Sequence, residues 1–511
     1  MSSIKKLAGQ TVWYGGSSIA ARLLNYLLTP YLTLKLSGTS YGEMSLVYAA
    51  IPFLNVVFTY GIETAYFRFS SKPEYKNEIY STASTSILIS TAILTTLLLL
   101  SHTFFSHLLR LDAHPEYIIY SAIIIALDTL TTLPFARLRY EGRPKKFAAI
   151  RIASILINIF LTYFFISVCP KLALENPAGF VAAFYKDDYA VGYVIIANLI
   201  ASFVTFLLLS KEFLSFRFKF NQVIWRAMII YSLPLMVAGF GGMINETFDR
   251  IMLGWWAPVQ TVNDAKIQVG IYSGCYKLSI LITLFIQAFR MGAEPFFFKQ
   301  SESQSPQRTY ARVMKFFVIT ITVMFLVVAL YLDVWKYFLR NEIYWTGLKV
   351  VPILLLANMF LGIYYNLSIW YKLTHRTISG AFITLIGAAI TLVINFIFIP
   401  FFGYMACAWA TFFCYGSMMV ISYLWGQKAY HIPYAWKKLC AYIVIVVGLF
   451  FIHSAIIYFF QGIIVNLTSA TLLLLLYLWF IMIIERKELR KIPLLSKFLP
   501  LNPVAKGGIE Q

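Results

Sequence analysis

The chain has 511 residues, 60% of them hydrophobic and only 13% charged, with a formal net charge of +20. A soluble domain carries about 25% charged residues, so this composition excludes a chain whose main solvent is water. The excess of positive charge would suit nucleic acid, but its distribution along the chain gives it another meaning.

A helix crosses the bilayer core with about 20 apolar residues. Such stretches recur at 11–34, 44–67, 83–109, 117–136, 147–168, 190–210, 227–256, 268–289, 313–332, 346–371, 378–400, 404–426, 439–460 and 464–484. They predict an all-α polytopic membrane protein with about 14 transmembrane helices and no sizeable soluble domain. The first run holds Arg22 and is not followed by a small-residue cleavage pattern, so it is expected to stay as a span. If the N-terminus is cytoplasmic, 31 of the 42 Lys and Arg residues fall in cytoplasmic segments and eight on the opposite side. That asymmetry is the positive-inside rule, and it places both termini in the cytoplasm. The charge is therefore an orientation signal, and no nucleic-acid partner is expected.

The segment 211–226 interleaves aromatic and basic residues, as a stretch lying in the headgroup layer does. It divides the chain into a first lobe, 1–210 (spans 1–6), and a second, 227–427 (spans 7–12). Residues 428–511 add a C-terminal helix pair and a basic cytoplasmic tail. A weak internal repeat supports the division. Tyr41-Gly42 and Gly61 in the first half match Val269-Gly270 and Gly292 in the second, at offsets of 228–231 residues, and Asn25 falls near Asn245. Six-helix repeats with a substrate site between them are a recurring transporter plan. The five cysteines (169, 275, 407, 414 and 440) are dispersed without a CxxC pair, and read as small packing residues.

Among the charges that interrupt the apolar spans are Arg22, Glu63, Asp128, Asp249, Arg250 and Lys277. A charge at the bilayer centre costs about 2.5–3.5 kcal/mol on insertion scales, so each needs a partner, a wet cavity or a polar substrate. In span 1, Arg22, Asn25, Tyr26 and Thr29 form one polar stripe at i, i+3, i+4 and i+7. The stripe lines a cavity, or it is polar glue with Arg22 held by a carboxylate such as Glu63. In span 7, Glu246 and Arg250 are i,i+4 partners, so Arg250 either faces cargo or is neutralised locally. Asp249, Asp128 and Glu63 are the candidates for H+ or Na+ coupling, and each has a plain ion-pair alternative. Among the aromatics, Tyr26, Tyr60, Tyr66, Tyr276, Tyr364 and Tyr365 are placed to stack on sugar faces, although most aromatics in such a chain serve packing or the interfacial belt. No nucleotide-binding loop, no metal-ligand spacing and no nucleophile motif is present, so neither metal nor organic cofactor is expected.

Three groups of segments resemble polysaccharide flippases of the Wzx type. Thr29–Ser37, Tyr41-Gly42 and Gly61…Phe69 resemble their opening helices. Asp249–Gly254 and Val269–Ser273 resemble helices seven and eight, and Val351…Ser368, Thr374–Thr377 and Asn395 resemble helices ten and eleven. The resemblance implies the multidrug/oligosaccharidyl-lipid/polysaccharide exporter fold, with two six-helix lobes around a central cavity and two further helices. It implies a flippase for an undecaprenyl-pyrophosphate-linked oligosaccharide in a bacterial inner membrane. A polysaccharide polymerase and glycosyltransferases would be its working partners. Arg22, Lys277 and Arg250, with Asn25 and Tyr26, would form a cationic cavity, and Arg68 and Arg290 its cytoplasmic entrance. A peptidoglycan-precursor flippase or a cation-coupled drug exporter of the same fold are the competing transporters. A membrane glycan polymerase or glycosyltransferase is disfavoured by the short outer loops.

Overall fold

The structure is a computed structural model that describes residues 3–70, 78–214, 219–301 and 305–489. Residues 215–218 of the interfacial linker and the basic tail beyond residue 489 lie outside the described residues. Among those described there is no strand, and 13 helices are long and apolar enough to cross a membrane. The expected first span is a further helix, Ser3–Leu27, continued after a break at Leu28 by Thr29–Lys35. Pro30 causes the break, because it has no N–H to continue the ladder. A multi-pass membrane protein of about 14 helices follows.

The chain separates into two compact units. One comprises residues 1–309 and 334–432, the other 310–333 and 433–511. In the larger unit, helix Gly38–Thr59 packs along the 39-residue helix Val262–Gln300, and Ser3–Leu27 packs against Pro144–Tyr163 and Val262–Gln300. Two of these approaches need glycine. A Cβ on Gly42 would fall 1.9 Å from the Lys266 carbonyl oxygen, and one on Gly270 would fall 2.5 Å from that of Gly38. These two glycines are the partners in the internal repeat, so the repeat brings its own equivalents face to face. The adjoining Glu43–Lys266 ion pair (2.8 Å) is almost wholly buried.

In the smaller unit, residues 310–333 pack with helices Trp436–Phe459 and Ile463–Ile484. The sequence pattern counts 310–333 in the second lobe; its contacts join it to the C-terminal pair. Thr322 and Tyr477 share a buried hydrogen bond at 2.8 Å. At one end the buried Glu485 carboxylate takes Lys315 at 2.8 Å, Lys438 at 2.6 Å and the Tyr442 hydroxyl at 2.6 Å.

Candidate functional site

The larger unit holds a cavity of about 720 Å³ lined by the first helix and by helices of the second half. Among the described residues its lining contains four cations, Arg22, Lys277, Arg290 and Lys372, and one acid, Glu246.

The stripe on the first helix supplies one wall. Arg22 and Asn25 are exposed towards the cavity, while Tyr26 is buried and stacked on Phe338 at a 4.6 Å centroid distance. The Tyr26 hydroxyl is buried there with no hydrogen-bond partner. No carboxylate lies within ion-pair distance of Arg22 or Lys277 among the described residues. Glu63, the alternative partner for Arg22, pairs with Arg139.

Span 7 supplies another wall, through a π-helical turn at Ile244–Phe248. Such a turn inserts a residue into the α-helix and is frequent at functional sites. Asn245 and Glu246 in this turn both line the cavity; Glu246 is exposed, while Asn245 is buried and donates to the Thr384 carbonyl at 3.2 Å. Asn25 and Asn245, near-equivalent in the repeat, thus line the same cavity, the first exposed and the second buried. Arg250 does not line the cavity. Its guanidinium lies over the Tyr276 ring at 4.5 Å, donates to the Glu246 carbonyl at 2.8 Å and reaches Asp249 at 3.3 Å. Its carboxylate partner is thus its chain neighbour and not Glu246. Asp249 is buried and also accepts from the Tyr272 hydroxyl at 2.5 Å and the Arg250 backbone N–H at 2.8 Å.

The remaining sequence candidates separate. Arg290 joins the cavity with its guanidinium over Tyr365 at 4.0 Å, whereas Arg68 lies over Tyr231 at 4.2 Å and is not among the cavity's lining residues. Asp128 accepts from Ser202 at 2.9 Å. Lys372, Tyr371 and Tyr415 line the cavity although the sequence did not single them out. In sequence, Lys372 has the look of one more orientation charge in a basic loop. Of the tyrosines named for sugar stacking, Tyr60 and Tyr66 sit in an apolar core cluster away from the cavity. Among the described residues no group of three His, Cys, Asp or Glu side chains is placed to hold a metal ion.

The described residues form an all-α membrane bundle that holds a cavity lined by charged and aromatic side chains. Residues 7–301 match the family model described as polysaccharide biosynthesis protein, and the chain belongs to that family. Solved structures agree in fold. The chain is similar to the lipid II flippase MurJ in an inward closed conformation, at a TM-score of 0.70 and 15% identity, over 94% of this chain and 100% of that one. It is similar to an inward-facing multidrug resistance MATE family transporter of the MOP superfamily, at a TM-score of 0.61 and 14% identity, over 83% and 95% of the two chains. A third is a MOP superfamily transporter from Pyrococcus furiosus described as having a binding pocket of reversed polarity, at a TM-score of 0.55 and 14% identity, over 86% and 96%. No curated protein matches the chain in sequence.

Proposed function

We propose that the protein is a transporter and not an enzyme, and that it flips an undecaprenyl-pyrophosphate-linked oligosaccharide from the inner to the outer leaflet by alternating access. The observation that carries this reading is that Arg22 and Lys277 line the cavity with no carboxylate within ion-pair distance of either among the described residues. Flipping a pyrophosphate-linked glycan means moving negative charge past hydrocarbon, where an uncompensated charge is expensive. Arg meets phosphate as a planar bidentate fork and Lys as a compact point charge. Arg22 and Lys277 are the phosphate contacts, because no carboxylate neutralises either of them among the described residues.

The bacterial inner membrane, with both termini cytoplasmic, is the setting this function implies. O-antigen, capsule or exopolysaccharide assembly is the pathway type, with glycosyltransferases before the step and a polymerase after it. Any H+ or Na+ coupling falls to Asp128. Glu63 and Asp249 are each held by an arginine, while Asp128 has a hydroxyl partner.

The test is translocation of a fluorescent polyprenyl-pyrophosphate oligosaccharide in proteoliposomes, with Arg22→Ala and Lys277→Ala beside wild type. Wild type should flip it, and each variant should lose at least tenfold, the scale of one charge-assisted phosphate contact. Flipping of a peptidoglycan precursor in preference would move the assignment to that cargo. Export of a cationic drug with no lipid flipping would overturn the reading.

A further inference from the structure

At the end of the cavity furthest along helix Val262–Gln300 from Lys277, the wall changes character. Tyr364, Tyr365 and Tyr371 gather there around the break at Ser368, between helices Val351–Leu367 and Ile369–Leu373. The Tyr364 and Tyr371 hydroxyls are 3.4 Å apart, and the Tyr364 and Tyr365 ring centroids 5.6 Å. Tyr365 and Tyr371 are half-buried and Tyr364 is buried.

Two features show that this wall is built and not merely lined. A Cβ on Gly380 would lie 2.8 Å from Cζ of Tyr371, so the absence of a side chain at 380 lets that ring lie where it does. Beside Tyr365, a recess of about 10 Å³ is lined by Asn366 and Ser368 among others. That is the volume of one water-sized group. Asn366 is 96% buried, at 4% exposure, and its Nδ2 has no hydrogen-bond partner. A buried amide donor without a partner costs free energy unless something supplies an acceptor.

Aromatic rings with polar tips, a vacant donor and hydroxyl-sized space suit a ligand that alternates apolar C–H faces with hydroxyls. Tyrosine gives large rigid amphipathic contact at small entropic cost. We infer that Tyr364, Tyr365, Tyr371 and Asn366 form a carbohydrate subsite for the distal sugars of the cargo. This rests on the flippase reading above, and it gives the cavity a polarity. From Lys277 to Arg290, the cation over Tyr365, is 13 residues, or about 20 Å at 1.5 Å per residue. A single sugar on a pyrophosphate held at Lys277 falls short of that distance, whereas an oligosaccharide of several sugars spans it.

The experiment compares flipping of two fluorescent polyprenyl-pyrophosphate lipids, one carrying a neutral monosaccharide and one a neutral pentasaccharide. The readout is the ratio of the two rates under matched conditions. Wild type should favour the pentasaccharide, and the Tyr364→Leu/Tyr371→Leu variant should lower that ratio about tenfold, the size of two lost ring contacts. Tyr371→Phe should keep most of the ratio, and Asn366→Leu should lower it without removing a ring. Lys277→Ala should slow both lipids and leave the ratio alone. An unchanged ratio in the double tyrosine variant overturns the inference, whatever happens to the separate rates. If wild type flips neither lipid the flippase reading falls, and saturation-transfer NMR of the free pentasaccharide with the solubilised full chain then decides the subsite. Transfer that the double variant abolishes upholds it, and no transfer to wild type sinks it.

Discussion

Replacing Gly42 by alanine adds one methyl group where two backbones meet. The new Cβ would fall 1.9 Å from the Lys266 carbonyl oxygen and 3.1 Å from its Cα. Ordinary contact begins near 3.4 Å, so helices Gly38–Thr59 and Val262–Gln300 must separate by 3.4 − 1.9, about 1.5 Å. No rotamer change relieves the overlap, because the opposing atom is backbone. A rigid shift of that size would carry the neighbouring Glu43–Lys266 pair from 2.8 Å to about 4.3 Å, beyond hydrogen-bond range. Overpacking of this kind costs about 1–3 kcal/mol and the stretched, largely buried pair about 1 kcal/mol more, so the packed arrangement should lose roughly 30- to 700-fold in population against a separated one. The assay is pulsed EPR in proteoliposomes, with spin labels at Thr39→Cys and Asn263→Cys and the exposed Cys440 replaced by serine. Wild type should give a dominant short distance, and Gly42→Ala should move weight to longer ones. Gly270→Ala should act in the same direction but less, since its deficit is 3.4 − 2.5, about 0.9 Å. Distance distributions that do not change, or a larger effect at 270 than at 42, would refute the packing argument.

The same geometry sets the outcome of other substitutions. Asp249→Asn leaves Arg250 buried without its counter-charge and should cost about 3 kcal/mol or more of stability, read as a lowered denaturation midpoint in detergent. Asp128→Asn exchanges a carboxylate whose hydrogen-bond partner is Ser202; it should move the midpoint far less, while flattening any dependence of transport on pH or Na+. Gly380→Val pushes a side chain into the Tyr371 ring and should reproduce the transport ratio of the double tyrosine variant. Outside the spans, burial alone would raise the Glu212 carboxyl, but the hydrogen bond and charge of Lys146 and the charge of Arg143 outweigh it and hold the group below the usual carboxylate range. Stability from a depressed carboxyl is fully present above its unfolded value, here 4.5, and is lost as pH falls through the folded value. The wild-type midpoint should therefore fall more steeply than that of Glu212→Gln on acidification below about pH 4.5, and parallel curves would show that the Lys146 and Arg143 contacts contribute nothing.

Arg22 and Lys277 could be read from the sequence because a charge within a long apolar run is conspicuous, and the spacing of Asn25 and Tyr26 assigned them to one face. The spans themselves were legible for the same reason, since the bilayer makes hydropathy a direct record of structure. Lys372 could not be read, because a lysine near a span end has the same signature whether it orients the chain or faces a cavity. The grouping of residues 310–333 with the C-terminal helices was hidden too. It depends on pairs such as Lys315–Glu485, 170 positions apart, which leave no local pattern.

The hardest case is span 7, where the sequence marked the right residues and left their directions open. On a regular helix Glu246 and Arg250 share a face, and a local pair between their side chains is the simplest expectation. The π-helical turn at Ile244–Phe248 intervenes, and one inserted residue rotates the rest of the helix by roughly 100°, since each residue takes 1/3.6 of a turn. Glu246 then faces the cavity, while the head of Arg250 goes to Asp249 and the Tyr276 ring. The same cation thus passes from ligand candidate to structural counter-ion through a change in backbone register that no side-chain pattern announces. A buried charge in a membrane span shows that a polar environment exists; only the helical phase shows whether that environment is the cargo's or the protein's own.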